Sequence, residues 1–184
     1  RIHAIGRTWE YVPSPDMRHY DLMQAVRTAL QRFGGDQFQD EMKRVLAPED
    51  YRAVVDILQK AAPFLLKGMK KLPKEPIMSD FNFTNMMFSE DLKDIVGIFD
   101  MDQTRWGYRF EDFLPPLLFG VSEFKPHAEN AVQELAVMVR AYQGTATAPL
   151  GKDEIDLLPY HVLFQAANSI LNRVEATMKI RQGS

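Results

Sequence analysis

The chain has 184 residues, of which 46% are hydrophobic and 26% charged, a composition typical of one globular domain or of two small lobes. Its net charge of −3 gives no general attraction to nucleic acid or to an anionic membrane, so we expect neither as a partner. Cysteine is absent, which excludes disulfides and thiolate chemistry, fits a reducing compartment and favours a cytoplasmic protein.

Helical periodicity dominates the first part of the chain and predicts four helices. They cover residues 1–5, 20–33, 37–46 and 48–70. Gly34 and Gly35 end the second of them, and Pro48 begins the fourth, because proline is tolerated in the first turn of a helix. Pro63 is expected to kink or interrupt that fourth helix, since proline removes a backbone hydrogen bond.

The centre of the chain has a different pattern. Pro73 and Pro76 end the helical periodicity, and short apolar runs follow at residues 86–88 and 95–99. The second run is rich in branched residues, and a polar turn separates the two, so the pattern predicts a small β-hairpin. After this hairpin we expect a polar and aromatic loop over residues 101–109.

Helical patterns return in the last part of the chain. They predict helices over residues 110–119 and 126–142, a linker over 144–151 and a long final helix. The fold class expected from the whole pattern is mostly α with a small central β-hairpin, an α+β fold. We assign the core to about residues 1–16 and 73–120, and further helical elements to about 17–72 and 121–184.

Polar side chains gather around the predicted hairpin. Asp80 precedes its first strand, Asn85 lies at the edge of that strand, and Asp100 follows the second strand directly. If the strands pair, Asn85 and Asp100 come from adjoining ends and project towards the same space, with Asp80 nearby. Two carboxylates and an amide carbonyl form an all-oxygen site, which Mg²⁺ prefers. Phosphoryl transfer needs such a site, because its transition state spreads negative charge over oxygens.

These residues resemble the catalytic core of the aminoglycoside phosphotransferase and choline kinase-like family, the small-molecule relatives of protein kinases. The family pattern is roughly His-Gly-Asp-x-x-x-x-Asn, a hairpin, and Ile-Asp-Phe/Trp. Here Asp80-x-x-x-x-Asn85 and residues 99–102 are similar to it. Residues 106–113 resemble the family's downstream Gly-x-Pro-x-x-x-Asp-Leu segment, and residues 1–4 resemble the Leu-His-Ala helix that follows the hinge between the lobes.

The resemblance implies the C-terminal lobe of a protein-kinase-like fold and an ATP-dependent phosphotransferase that acts on a hydroxyl of a small molecule. Asp80 would be the catalytic base, and Asn85 and Asp100 would be the magnesium ligands. The implied partners are therefore Mg²⁺, ATP and a small-molecule acceptor.

The resemblance also implies roles for neighbouring residues. Met87 would form part of the floor under the adenine, and Phe99 would contact the same cofactor. Asp112 would brace the catalytic loop, and Asp102 is an accessory candidate for the metal or the substrate. The acceptor itself is not specified by the resemblance, because aminoglycosides, choline-like amines, sugars and amino alcohols all fit such a scaffold.

Acidic residues near the predicted site would suit a cationic acceptor. They are Asp102, Glu111 and the cluster of Asp153, Glu154 and Asp156. Solvated helix starts explain that cluster equally well.

The chain departs from the family pattern at Met78 and Ser79, where the family usually has His-Gly. It also has no glycine-rich phosphate loop and no strand lysine with a helix glutamate, features of the family's N-terminal lobe. We therefore expect a piece of a longer protein. Two alternatives to the enzyme remain open: a catalytically weak kinase-like binding module, and a purely helical interaction domain in which Asp80, Asn85 and Asp100 do not converge.

Overall fold

The computed structural model describes residues 21–115 and 128–183, which form two compact units. One unit contains residues 73–115 and 128–155, and the other contains residues 21–72 and 156–183. The structure is mostly helical with small antiparallel sheets, which confirms the expected α+β class. The helix predicted over residues 1–5 lies outside the described residues. None of the helices in the described ranges combines the length and the apolar composition that a bilayer crossing needs.

The unit of residues 21–72 and 156–183 is helical. Its elements are α1 (Leu22–Phe33), α2 (Asp36–Val45), α3 (Pro48–Met69) and all but the first turn of the long helix that ends the described chain (Lys152–Gln182), which is α5 in chain order. Asp21 caps α1, because its carboxylate accepts hydrogen bonds from the backbone N–H groups of Met23 and Gln24.

The core of this helical unit is apolar, and each of its helices contributes to it. Fully buried side chains include Leu22, Val26, Met42, Leu58, Phe164 and Leu171. Burial of each such large side chain contributes about 1.5–3 kcal/mol. Ion pairs also link the helices, since Arg32 of α1 donates to Glu175 of α5 and Arg181 of α5 donates to Glu41 of α2.

The helix α3 continues through Pro63 as one element, so of the two expected effects of this proline, a kink or an interruption, the interruption does not occur. The lost backbone hydrogen bond and the ring clash cost about 3 kcal/mol. Apolar side chains on both sides of the proline, such as Leu58 and Leu65, are fully buried. Burial of these side chains stabilises the helix on both sides of Pro63 and offsets that cost.

The second unit contains two small antiparallel sheets. Strand β1 (Glu75–Ile77) pairs with β4 (Arg105–Gly107), and β2 (Met86–Phe88) pairs with β3 (Ile95–Ile98). The β2–β3 pair is the hairpin that the sequence predicts. The β1–β4 sheet corrects the prediction of a loop over residues 101–109. Strands of three residues are too short to show an alternating pattern, and Pro76 is compatible with a two-stranded sheet because both strands are edges.

Two 3₁₀ helices, one α-helix and the first turn of α5 complete this unit. The first 3₁₀ helix is Phe83–Asn85 and the second is Arg109–Phe113, which forms the start of the helix predicted over residues 110–119. Helix α4 (Ala128–Thr145) extends three residues beyond its predicted end, and α5 begins at Lys152. The second 3₁₀ helix packs on α4 through Phe113, whose ring meets that of Tyr142 edge-on with 5.2 Å between centroids.

Gly107 lies at a crowded backbone position of the β1–β4 sheet. A Cβ there would approach Ile77 Cδ1 to 2.3 Å, Arg105 Nη1 to 2.7 Å and Glu111 Oε1 to 2.8 Å. We therefore expect Gly107→Ala to lower the free energy of unfolding by about 1–3 kcal/mol, as overpacking does. Urea denaturation measures the change.

The matched control for this substitution is Gly144→Ala in the last turn of α4. A Cβ at Gly144 has open space around it. Alanine is the better helix former, so Gly144→Ala should be neutral or stabilising by up to about 1 kcal/mol. Equal losses of stability at the two glycines would contradict the crowding at Gly107.

Candidate functional site

The β2–β3 hairpin places two of the predicted site residues at one of its ends. Met86 pairs with Ile98, so Asn85 immediately precedes the paired region and Asp100 follows it by two residues. The backbone N–H of Phe99 donates to the carbonyl oxygen of Asn85 over 3.1 Å, which holds the two chain segments together at this end. Asn85 and Asp100 therefore lie on adjoining segments.

The loop of residues 78–85, here called the Asp80 loop, brings Asp80 to Asn85. The side-chain Nδ2 of Asn85 donates to Asp80 Oδ2 over 3.1 Å and to the backbone oxygen of Asp80 over 3.0 Å. Asn85 is 6% exposed, so this amide is held in place by its surroundings. With Nδ2 committed to Asp80, Oδ1 is the atom of Asn85 that a cation would contact.

Asn82 is a further member of the site, and the sequence analysis missed it. Its Nδ2 donates to Asp80 Oδ1 over 2.9 Å, so each carboxylate oxygen of Asp80 accepts one amide donor. Its Oδ1 accepts from the backbone N–H of Thr84 over 2.9 Å and thereby caps the first 3₁₀ helix. An asparagine two positions after Asp80 is a signal for such a cap, but it does not indicate where the amide nitrogen points.

Asp100 lies among other carboxylates. A hydrogen bond with Asp102 raises the pKa of Asp100 above its ordinary value, and repulsion from Asp102 and Asp80 acts in the same direction. Asp100 itself is exposed to solvent. The structure thus brings Asp80, Asn85, Asp100 and Asp102 together, and a bound cation would relieve the repulsion among the three carboxylates.

Asp112 of the second 3₁₀ helix anchors the start of the Asp80 loop. Asp112 Oδ1 accepts from the backbone N–H of Ser79 over 2.8 Å, and Asp112 Oδ2 accepts from that of Met78 over 3.2 Å. Asp112 thus contacts the two residues that precede Asp80. Met78, in the position of the family's histidine, is completely buried.

Backbone strain also concentrates at this site. Within the described ranges, the non-glycine residues with positive φ are Ser79 (68°), Leu92 (59°) and Asp100 (59°). Ser79 adjoins Asp80, and Asp100 is itself a candidate metal ligand, a distribution typical of functional sites. Ser79 occupies the position where the resembled family has glycine, the residue that adopts a positive φ without steric cost.

Met87 and Phe99, the predicted cofactor contacts, are exposed apolar side chains. Met87 on β2 is 56% exposed, and Phe99 just after β3 is 46% exposed. The backbone hydrogen bond at the end of the hairpin holds Phe99 next to Asn85. Apolar surface next to a polar cluster is the combination that binding of a heteroaromatic base with charged phosphates requires.

Two of the acidic residues that were candidates for contact with a cationic acceptor form ion pairs inside the fold. Glu111 forms a buried ion pair with Arg105 over 2.8 Å, and burial raises the pKa of Glu111. Glu154 forms a buried ion pair with Arg109. Because both carboxylates face cations inside the fold, Asp102 is the better candidate for contact with a cationic acceptor.

The donor set fits magnesium that arrives with a nucleotide. In residues 21–115 and 128–183, no three His, Cys, Asp or Glu side chains are arranged to hold a metal ion by themselves. Asp100 and Asn85 offer one carboxylate and one amide oxygen. Mg²⁺ is commonly bound by one or two carboxylates together with substrate phosphates, so a site completed by phosphate oxygens fits these residues.

Comparison of the chain with models of known protein families, with curated proteins and with solved structures finds no match. The function of the chain is therefore inferred from the residues around Asp80, from their geometry and from the resemblance of their spacing to a known catalytic core.

Proposed function

We propose that this chain is the carboxylate-bearing lobe of a kinase-like phosphotransferase, similar to the aminoglycoside phosphotransferase and choline kinase group. The proposed reaction transfers the γ-phosphoryl group of ATP to a hydroxyl of a small molecule. The observation that carries the proposal is the fixed orientation of Asp80: Asn82 and Asn85 each donate to one of its carboxylate oxygens. Asp100 lies on the segment adjoining Asn85, which supplies the second carboxylate that the chemistry needs.

In the proposed reaction Asp80 accepts the proton of the acceptor hydroxyl. The hydroxyl oxygen then forms a bond to the γ-phosphorus, the bond from that phosphorus to the β–γ bridging oxygen breaks, and ADP leaves. The proton on Asp80 passes to solvent before the next cycle. Asn85 and Asp100 would hold Mg²⁺, which neutralises charge on the phosphate oxygens. The two amide donors keep Asp80 in one rotamer, so the base is oriented before the acceptor binds.

A catalytically weak binding module is the second candidate. The observation that favours it is the pair Met78 and Ser79 in place of His-Gly, with Ser79 in a strained backbone conformation. The third interpretation, a purely helical interaction domain, does not fit the two antiparallel sheets. The enzyme and the module differ in whether nucleotide binds and whether its phosphoryl group is transferred.

Titration of the full-length protein with Mg-ATP, followed by an ADP-release assay over a panel of hydroxyl acceptors, tests the proposal. We expect binding and acceptor-dependent ADP release. We expect Asp100→Asn to weaken Mg-ATP binding by at least the roughly 10-fold that loss of even an outer-shell metal partner costs. The full-length protein is used because the resemblance assigns the phosphate-binding loop to a separate lobe.

The matched control is Asp94→Asn, which changes an exposed carboxylate at the turn end of the same hairpin. It should leave Mg-ATP affinity unchanged. Absence of nucleotide binding by the wild-type protein would favour the binding module. Equal affinities of wild type and Asp100→Asn would remove Asp100 from the metal site.

A further inference from the structure

The backbone of Ser79 is held in a conformation that serine rarely adopts. Its φ of 68° lies in the left-handed region, which disfavours side chains with a Cβ. Such a conformation persists only when surrounding contacts determine it. Ser79 directly precedes Asp80, so its φ and ψ decide the direction in which the chain delivers the Asp80 carboxylate.

Arg105 on β4 makes the contact to the side chain of Ser79. Its Nε donates to Ser79 Oγ over 3.0 Å, and its Nη2 donates to Glu111 Oε2 over 2.8 Å. The other oxygen of Glu111 accepts from the backbone N–H of Tyr108 over 2.8 Å. The Arg105 and Glu111 side chains are only 12% and 4% exposed, so the guanidinium is fixed in an enclosed site.

The space for this pair depends on Gly107. A Cβ at that position would lie within 2.8 Å of both Arg105 Nη1 and Glu111 Oε1. Glu111 is also the chain neighbour of Asp112, which accepts from the backbone N–H of Ser79. Two consecutive carboxylates of the second 3₁₀ helix therefore hold Ser79. Asp112 accepts a hydrogen bond from its backbone N–H, and Glu111 holds its side chain through Arg105.

We propose that Arg105 is a positioning residue for Asp80: by joining Ser79 Oγ to Glu111, it holds the Asp80 loop in its strained conformation and keeps the base aimed at the acceptor. The catalytic part of this statement rests on the proposed function. A planar guanidinium suits the role because it donates in two fixed directions at once, whereas a lysine ammonium is a single point donor.

Ser79→Ala and Arg105→Lys test the proposal in the full-length protein. Ser79→Ala removes one oxygen, and Arg105→Lys keeps the charge that Glu111 requires, so both variants should fold. We expect each to raise the hydrogen-exchange rates of the Ser79 and Asn82 backbone amides about tenfold, the effect of losing one charge-assisted hydrogen bond. We expect kcat to fall about tenfold as well, with an unchanged KM for ATP, because Asp80 does not bind the nucleotide.

The double variant separates a shared role from two independent ones. Ser79→Ala with Arg105→Lys should behave like either single variant, because both remove the same contact. The control Ser169→Ala changes an exposed serine on α5 and should alter neither exchange nor kcat. Unchanged exchange at Ser79 in both single variants would overturn the proposal, and so would faster exchange with normal kcat.

The failure of this proposal is distinguishable from the failure of the proposed function. Hydrogen exchange reports on the Asp80 loop whether or not the protein transfers phosphate. A wild-type protein that transfers phosphate to none of the acceptors overturns the proposed function, and the exchange rates at Ser79 then still decide whether Arg105 holds the loop.

Discussion

Replacement of Asp80 by alanine is expected to lower kcat by about 100- to 10,000-fold, the usual effect of removing a general base. The structure gives the physical reason for expecting the large end of this range. The side chains that contact the carboxylate of Asp80 are those of Asn82 and Asn85, and a carboxamide cannot replace a carboxylate as general base. The measurement is steady-state ADP release by the full-length protein with its best acceptor.

The nucleotide affinity of this variant distinguishes a base from a metal ligand. Asp80→Ala should bind Mg-ATP within a few-fold of the wild type, whereas Asp100→Asn should not. The control Asp94→Ala removes an exposed carboxylate from the turn of the same hairpin and should keep normal turnover. Normal kcat in Asp80→Ala would show that Asp80 is not the base.

Replacement of Arg109 by methionine is expected to lower the free energy of unfolding by about 3–5 kcal/mol, the effect of breaking a buried ion pair. Arg109 is 7% exposed, and its Nε donates to Glu154 Oε1 over 3.0 Å. Its Nη1 donates to the carbonyl oxygen of Ala148 over 2.7 Å, and Glu75 Oε2 lies 4.0 Å from Nε. The variant would leave two buried carboxylates near each other without their cation.

Urea denaturation of the full-length protein, monitored by tryptophan fluorescence, measures this change. The matched control is Lys60→Met, which breaks the exposed pair with Asp56 on α3 and should change stability by less than about 1 kcal/mol. The double variant Arg109→Met with Glu154→Leu should have a higher free energy of unfolding than Arg109→Met alone, because it removes one of the two buried carboxylates that face Arg109. A loss in Arg109→Met no larger than in Lys60→Met would contradict a buried structural role for Arg109.

The hairpin was predictable because its strands carry a local signal. Residues 95–98 are rich in branched side chains, and a polar turn precedes them. Once the strands pair, the positions of Asn85 and Asp100 at one end follow from chain geometry alone. The sequence likewise indicated that Asp80 precedes the first strand and that Asn85 lies at its edge, although it did not specify the hydrogen bond between them.

The β1–β4 sheet was not predictable, because its two strands of three residues are separated by 27 residues and Pro76 reads as a break. The ion pair of Arg105 with Glu111 could not be predicted either, because Arg105 lies on a strand of that sheet. Glu111 looked like an exposed acid near a cationic substrate. Only the tertiary fold shows that it faces inward, since burial is a property of the neighbours and not of the residue itself.

The second 3₁₀ helix limits how this chain can change its length. Arg109 bonds to Glu154, Glu111 to Arg105, Asp112 to the Asp80 loop, and Phe113 contacts Tyr142. With three residues per turn, consecutive side chains leave the axis in three different directions. A single inserted or deleted residue would rotate the side chains after it by about a third of a turn relative to those before it, so the four contacts could not all form. We therefore expect laboratory libraries to reject length changes within Arg109–Phe113 and to accept them in the hairpin turn around Asp91.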